Sequence, residues 1–182
     1  MRPFRSLILL LVLATALLVA LVRPLPGHAS EAATATTKKQ TRPSAWRRRH
    51  LHHQARVRAE RRMGRRVVKY AKRFIGAPYA WGGASPRTGF DCSGLVLYVY
   101  KHFGISLPHS SYGDKSHGRR ILRHNLRPGD LVFFAGDSHV GIYVGRNRVI
   151  DAPHSGAVVH ITTMTDWYSY AFSGARRVAH AA

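Results

Sequence analysis

The chain has a single cysteine, and its surroundings suit chemistry better than storage. Cys92 stands in Asp91-Cys92-Ser93-Gly94, between a Gly- and Pro-rich stretch and apolar residues at helical spacing (Leu95, Val96, Val99, Phe103). A thiol in the first turn of a helix meets unpaired backbone N–H groups and the positive end of the helix dipole, both of which favour the thiolate. Ser93 and Gly94 are small enough to let a substrate backbone approach. The bland alternative is a buried thiol filling a core gap. A nucleophilic cysteine needs a base, and histidine is the side chain whose charge changes near neutral pH. Of twelve histidines, His139 is the best placed: it opens the apolar run Val140-Gly141-Ile142-Tyr143-Val144, so a rigid strand would hold its ring. A histidine at a strand edge is otherwise commonly just solvated. A third polar group would fix the ring's orientation. Asp151 follows Val149-Ile150 across a turn at Arg146-Asn147, so a hairpin would put it beside His139. Asp130, Asp137 and His154 are rivals, although Asp130 after Pro-Gly suits a turn cap.

The elements that must position these groups follow from periodicity. Val67, Val68, Ala71, Phe74 and Ile75 predict a helix from about Met63, ended by Gly76 and Pro78. Residues 76–91 read as loop and 92–103 as a second helix stopped by Gly104. After the turn Arg127-Pro128-Gly129-Asp130, short strands are predicted at 131–135, 139–144, 148–152 and 158–161. A short helix near 165–168 and a closing strand over 172–178 complete an α+β arrangement, helices first and antiparallel strands after.

Composition sets the boundaries. The chain has 182 residues, with 29 Lys plus Arg against 8 Asp plus Glu and a formal charge of +21. An apolar share of 45% excludes a wholly disordered chain, and one cysteine excludes a disulfide scaffold or a Cys-rich zinc module. Arg2 and Arg5, the apolar run 7–22 and the small residues before Ser30 have the layout of a secretory signal over residues 1–30. An uncleaved membrane anchor is the alternative, although the run falls short of the roughly 20 residues that span a bilayer. Residues 31–62 carry ten Lys and Arg against Glu31 and Glu60, and read as a basic, disordered arm or linker that could turn helical from about Ala45 on an anionic surface. Its partners would be anionic envelope polymers or lipid. Nucleic acid is not expected, because export removes the chain from it. The compact domain is expected over 63–180, as a monomer outside the cytoplasm, in cell wall or periplasm.

Four blocks occur in order: Ala77-Pro78-Tyr79-Ala80-Trp81-Gly82-Gly83, Asp91-Cys92-Ser93-Gly94-Leu95-Val96, Arg127-Pro128-Gly129-Asp130-Leu131-Val132-Phe133-Phe134 and His139-Val140-Gly141-Ile142-Tyr143-Val144-Gly145. In these the chain resembles the NlpC/P60 family of cell-wall cysteine peptidases, over about residues 63–180. The resemblance implies a papain-like α+β fold, with Cys92 as nucleophile, His139 as general base and Asp151, just before an Ala and twelve after the His, as third member. It implies Tyr79 near the nucleophile as an oxyanion donor, Asp91 facing a substrate amine, Ser93 facing a main-chain or carboxylate group, and Trp81 walling the groove or packing the core. Asp91 as a plain helix N-cap is an equal reading. The implied reaction is thioester-mediated hydrolysis of peptidoglycan stem peptides, at the γ-D-glutamyl–diamino acid bond, with no metal or other cofactor. A catalytically silent wall-binding module and a papain-like amidase are the rival functions. Two departures stand out: His109 where many relatives carry Arg after Leu-Pro, and Asp114 where Gln is frequent.

Overall fold

The computed structural model describes residues 44–178. The expected signal over 1–30, the first part of the arm and residues 179–180 lie outside them. Helix α1 spans Ala45–Ala71 and is followed by one 3₁₀ turn, Lys72–Phe74. This corrects two expectations. Residues 45–62 are helical rather than disordered, and the boundary drawn at Met63 falls inside a continuous helix. No Pro interrupts Ala45–Ala71 and no Gly precedes Gly64, while Arg, Ala, Leu and Gln are good helix formers. Its one acidic residue, Glu60, is buried and draws the cationic segment onto the domain: Arg119 Nη2 donates to Glu60 Oε2 at 2.9 Å. Arg127 and Arg177 stand 3.9 and 3.8 Å from the same oxygen.

Short strands β1 (Ala84–Ser85) and β2 (Gly89–Phe90) pair as a small hairpin ahead of helix α2 (Cys92–Lys101). A single-turn helix α3 (Ser111–Asp114) follows. Then come β3 (Arg119–Arg120), β4 (Leu131–Phe134), β5 (His139–Gly145), β6 (Arg148–Asp151), β7 (His160–Thr163), helix α4 (Asp166–Tyr170) and β8 (Phe172–Arg177). Strands β3 to β8 form one antiparallel sheet in the order β3-β8-β4-β5-β6-β7. The architecture is α+β. Strand β7 begins two residues later than the spacing predicts, because the segment before it pairs elsewhere. Val159 N donates to Ala77 O at 2.8 Å and Gly76 N to Val159 O at 2.9 Å. Residues 157–159 thus tie down the loop that carries Tyr79.

Alternation along the strands buries both faces of the sheet. Leu131, Phe133, Val140, Ile142 and Ile150 pack with Val67, Val68 and Ala71 of α1 and Leu95, Val96, Val99 and Tyr100 of α2. Val132, Phe134, Val149 and Met164 form a second cluster with Tyr143, Tyr168 and Phe172. An aromatic wedge joins the two long helices, with Tyr70 stacked on His102 at 3.8 Å.

Helix α1 docks against the Pro128-Gly129 turn through two glycines. A Cβ at Gly64 would lie 1.9 Å from Pro128 O, and one at Gly129 2.5 Å from Gly64 Cα. Gly64 therefore stays in a helix interior despite its low propensity, because backbone fills the space a side chain needs. Gly64→Ala gains about 1 kcal/mol of helix propensity but overpacks against rigid backbone. We expect a net loss of roughly 2 kcal/mol, read as a lower urea midpoint.

The buried acid Asp114 has neither carboxylate oxygen hydrogen-bonded. Burial pushes its pKa up to about 8. The folded state thus holds a proton that the unfolded chain releases near pH 4, and stability drains away as pH rises from about 4 to 8. Asp114→Asn does not titrate. Its unfolding free energy, measured against pH, should match the parent near pH 4 and exceed it by roughly 2–4 kcal/mol at pH 8.

Candidate active site

Cys92 opens α2, and Asp91 is that helix's N-cap, in extended conformation (φ −91°, ψ 179°). Its Oδ1 accepts from Gly94 N at 2.6 Å and from Ser93 Oγ at 3.1 Å, and its Oδ2 from Gly82 N at 2.9 Å. The Nε2–H of His109 reaches both oxygens, at 2.9 and 3.0 Å. One carboxylate therefore fixes the helix start, the preceding loop and the segment before α3. Gly94 serves this junction too: a Cβ there would lie 2.0 Å from Gly83 O. The room that the sequence suggested for substrate is occupied by the loop's own backbone. Ser93 is buried and its hydroxyl is engaged by Asp91.

His139 begins β5, paired with Phe134, and Asp151 ends β6. The β5–β6 register pairs Ile142 with Ile150, so Gly141 faces Asp151 and His139 sits diagonally across from it on the same face. A Cβ at Gly141 would come 3.3 Å from Asp151 Cβ. With no side chain there, the carboxylate leans to the ring: His139 Nε2 meets Asp151 Oδ2 at 2.7 Å. Tyr168 Oη donates to the same oxygen at 2.7 Å. Asp151 is fully buried and His139 nearly so.

Electrostatics follow from that burial. Desolvation alone would strip the proton from His139. Hydrogen bonding to the Asp151 carboxylate, together with the proximity of Cys92 and the negative charge of Asp151, outweighs it, and the pKa is raised to about 9. With Nε2 given to Asp151, Nδ1 is the nitrogen left for the thiol. Tyr79 is raised above the ordinary phenol range by burial, then by the nearby charges of Cys92 and Asp91. Burial and the charge of Asp151 likewise raise Tyr168, which keeps it a donor.

These groups share a cleft of two lobes, of about 590 and 540 Å³, meeting at Tyr79, Trp81, Cys92 and Ser138. His139, His160, Thr162, Trp167 and Tyr168 line the first lobe. Asp91, Ser93, His109 and Tyr112 line the second. Trp81 is 90% exposed, so of its two readings core packing is excluded and it stands at the rim. The rivals of Asp151 are placed elsewhere. Asp130 accepts from Arg127 N at 2.7 Å and from Arg177 Nε at 2.6 Å, Asp137 is ion-paired with Lys115, and His154 sits at the rim of the first lobe. Sequence reasoning missed Tyr168 and Trp167. Their only signal was an aromatic pair in the short helix expected near 165–168. Among the described residues no group of three or more His, Cys, Asp or Glu could hold a metal ion.

The sequence profile described as "NlpC/P60 family" matches residues 76–177, more than half of the chain. The chain belongs to the NlpC/P60 family. Within that family it is 41% identical over 117 residues to the gamma-DL-glutamyl hydrolase of Bacillus subtilis, a match covering 61% of this chain and 28% of the relative. It is 46% identical over 114 residues to the murein DD-endopeptidase MepH of Escherichia coli, covering 57% of this chain and 42% of the relative. The chain thus spans less than half the length of these relatives. The structure of the peptidoglycan hydrolase RipB from Mycobacterium tuberculosis superimposes with a TM-score of 0.60 at 27% identity, over 67% of each chain.

The Asp151 contact makes a prediction that needs no substrate. Followed by NMR, the His139 ring should keep its proton until about pH 9. Asp151→Asn should bring that midpoint down by about one to two pH units.

Proposed function

We propose that this NlpC/P60 chain is a cysteine endopeptidase that hydrolyses peptidoglycan stem peptides between γ-D-glutamate and the diamino acid. The observation that carries the reading is the buried 2.7 Å contact of His139 with Asp151 in a cleft that also holds Cys92 at the head of α2. Cys92 attacks the amide carbonyl as a thiolate, beside an imidazolium that Asp151 keeps protonated and oriented. The oxyanion rests on the Cys92 backbone N–H and the Tyr79 hydroxyl. His139 gives its proton to the leaving amine as the C–N bond breaks, then takes one from the water that splits the thioester. Thiolate and imidazolium are thereby regenerated. Asp91 and Ser93, with His109 beside them, offer polar contacts in the second lobe, and Trp81 walls the groove where the lobes meet.

Residues 1–30 would export the chain, or anchor it, and the cationic arm that continues into α1 would hold it electrostatically on anionic envelope polymer. The two relatives are named for different bonds, a gamma-DL-glutamyl bond in one and a DD bond of murein in the other. DD-endopeptidase cleavage, as named for the Escherichia coli protein, is therefore the second reading.

Fragments released from purified peptidoglycan, identified by mass spectrometry, decide between them. A freed γ-carboxyl of D-glutamate supports the proposal, a freed D-alanine carboxyl the second reading, and a freed lactyl group an amidase. Cys92→Ala and thiol alkylation should each lower the release rate at least about a thousandfold, while a chelator leaves it unchanged. Undiminished release by Cys92→Ala would overturn the mechanism.

A further inference from the structure

Helix α1 and the segment leading into β4 enclose another concavity, of about 390 Å³, lined by Arg61, Arg65, His124, Asn125, Arg127 and Pro128. None of these residues lines either lobe of the cleft. The lining carries three guanidiniums, beside an imidazole and a carboxamide that hydrogen-bond each other, Asn125 Nδ2 to His124 Nε2 at 3.2 Å. The carboxylates nearby are already committed. Asp130 receives Arg177 through both oxygens, at 2.6 and 2.7 Å, and Glu60 is hydrogen-bonded to Arg119. Arg127 Nη1 is left 3.9 Å from Glu60, beyond hydrogen-bonding distance, and is buried with no acceptor. Burial, then the crowding guanidiniums of Arg177 and Arg61, weaken the hold of Arg127 on its proton. Among the described residues, neither Arg61 nor Arg65 has a carboxylate within 4.0 Å.

We propose that this pocket binds a phosphate group of a linear phosphodiester polymer. Guanidinium forks match phosphate oxygens two at a time. The charge continues outside the pocket along the exposed side of α1, through Arg47, Arg58, Arg62 and Lys69. At about 1.5 Å per residue that helix presents a rod some 40 Å long, suited to a repeating anion. A lipid surface is the poorer occupant. The exposed apolar side chains of α1, Trp46 and Leu51, are 65% and 52% exposed but five positions apart, and so face different ways with no stripe to insert. The site gives the electrostatic retention proposed above a specific seat, and it is independent of the catalytic reading.

Calorimetric titration of the full chain carrying Cys92→Ala tests it, with a glycerol-phosphate polymer, inorganic phosphate, polyglutamate of equal charge and phosphatidylglycerol vesicles as probes at about 0.15 M salt. The glycerol-phosphate polymer should bind more tightly than polyglutamate, and inorganic phosphate should compete with it. The double variant Arg61→Gln/Arg65→Gln should weaken polymer binding about tenfold, against about two- to threefold for Arg47→Gln/Arg48→Gln, which removes equal charge outside the pocket. Unchanged circular dichroism would show both variants folded. Equal losses in the two doubles, equal binding of polyglutamate, or binding to vesicles alone would each overturn the pocket. If no polyanion binds the parent chain, the broader retention reading fails with it.

Discussion

A carboxylate sealed from water grips an imidazole that is almost as deeply buried, and the pairing of β5 with β6 is what allows it. The two strands present Gly141 opposite Asp151. The missing side chain leaves a gap on the sheet face through which Oδ2 reaches the ring two positions along. A slip of one residue would turn both groups to the opposite face, where Val140, Ile142 and Ile150 now build the core against the helices. The same alternation that buries those three therefore delivers His139 and Asp151 to the cleft side. Packing and site geometry rest on one register.

Charge is used with economy throughout. Eight acidic residues serve a chain with 29 Lys and Arg, and most of those described act as internal nodes. Glu60 holds α1 to the domain, Asp91 joins loop to helix, Asp130 clamps Arg177, Asp137 ties Lys115 to the turn before β5, and Asp151 orients His139. Each such contact is buried or half-buried, where charge-assisted hydrogen bonds outlast screening by salt. Asp114 departs from the pattern: it is buried with no partner and neutralised by its own protonation. With so few anions spent inward, the excess cationic charge is left for the surface.

Much of this was legible in the residues themselves. The strands of the sheet announced themselves through apolar runs punctuated by Pro-Gly and Arg-Asn turns, and the head of α2 through Asp-Cys-Ser-Gly. What stayed hidden depends on partners far away in sequence. The first half of α1 has no apolar periodicity, and its attachment hangs on one carboxylate meeting Arg119, 59 positions on. The bond of Tyr168 to Asp151 joins a short helix to a strand across 17 positions. Strands β1, β2 and β3 are only two residues each, too short for any alternation to register. The loop around Tyr79 is held by residues 157–159, a pairing that shifted the start of β7 and that no local pattern encodes.

The two ends of β5 divide the labour of the domain. At its start the strand carries His139; farther along, Tyr143 exchanges backbone hydrogen bonds with the Gly129-Asp130 turn, through Gly129 N to Tyr143 O and Tyr143 N to Asp130 O, each at 2.8 Å. That turn is the one against which Gly64 of α1 packs, and Tyr100 of α2 donates its hydroxyl to Gly129 O. The helix bearing the basic stripe and the helix bearing Cys92 are thus anchored to the same few backbone atoms. Their charged and reactive groups nevertheless line separate concavities. Backbone contacts between glycines and a turn fix position without contributing charge. The exterior of α1 can therefore hold its full complement of arginines while the cleft keeps its own electrostatics, set by Asp151 and Asp91.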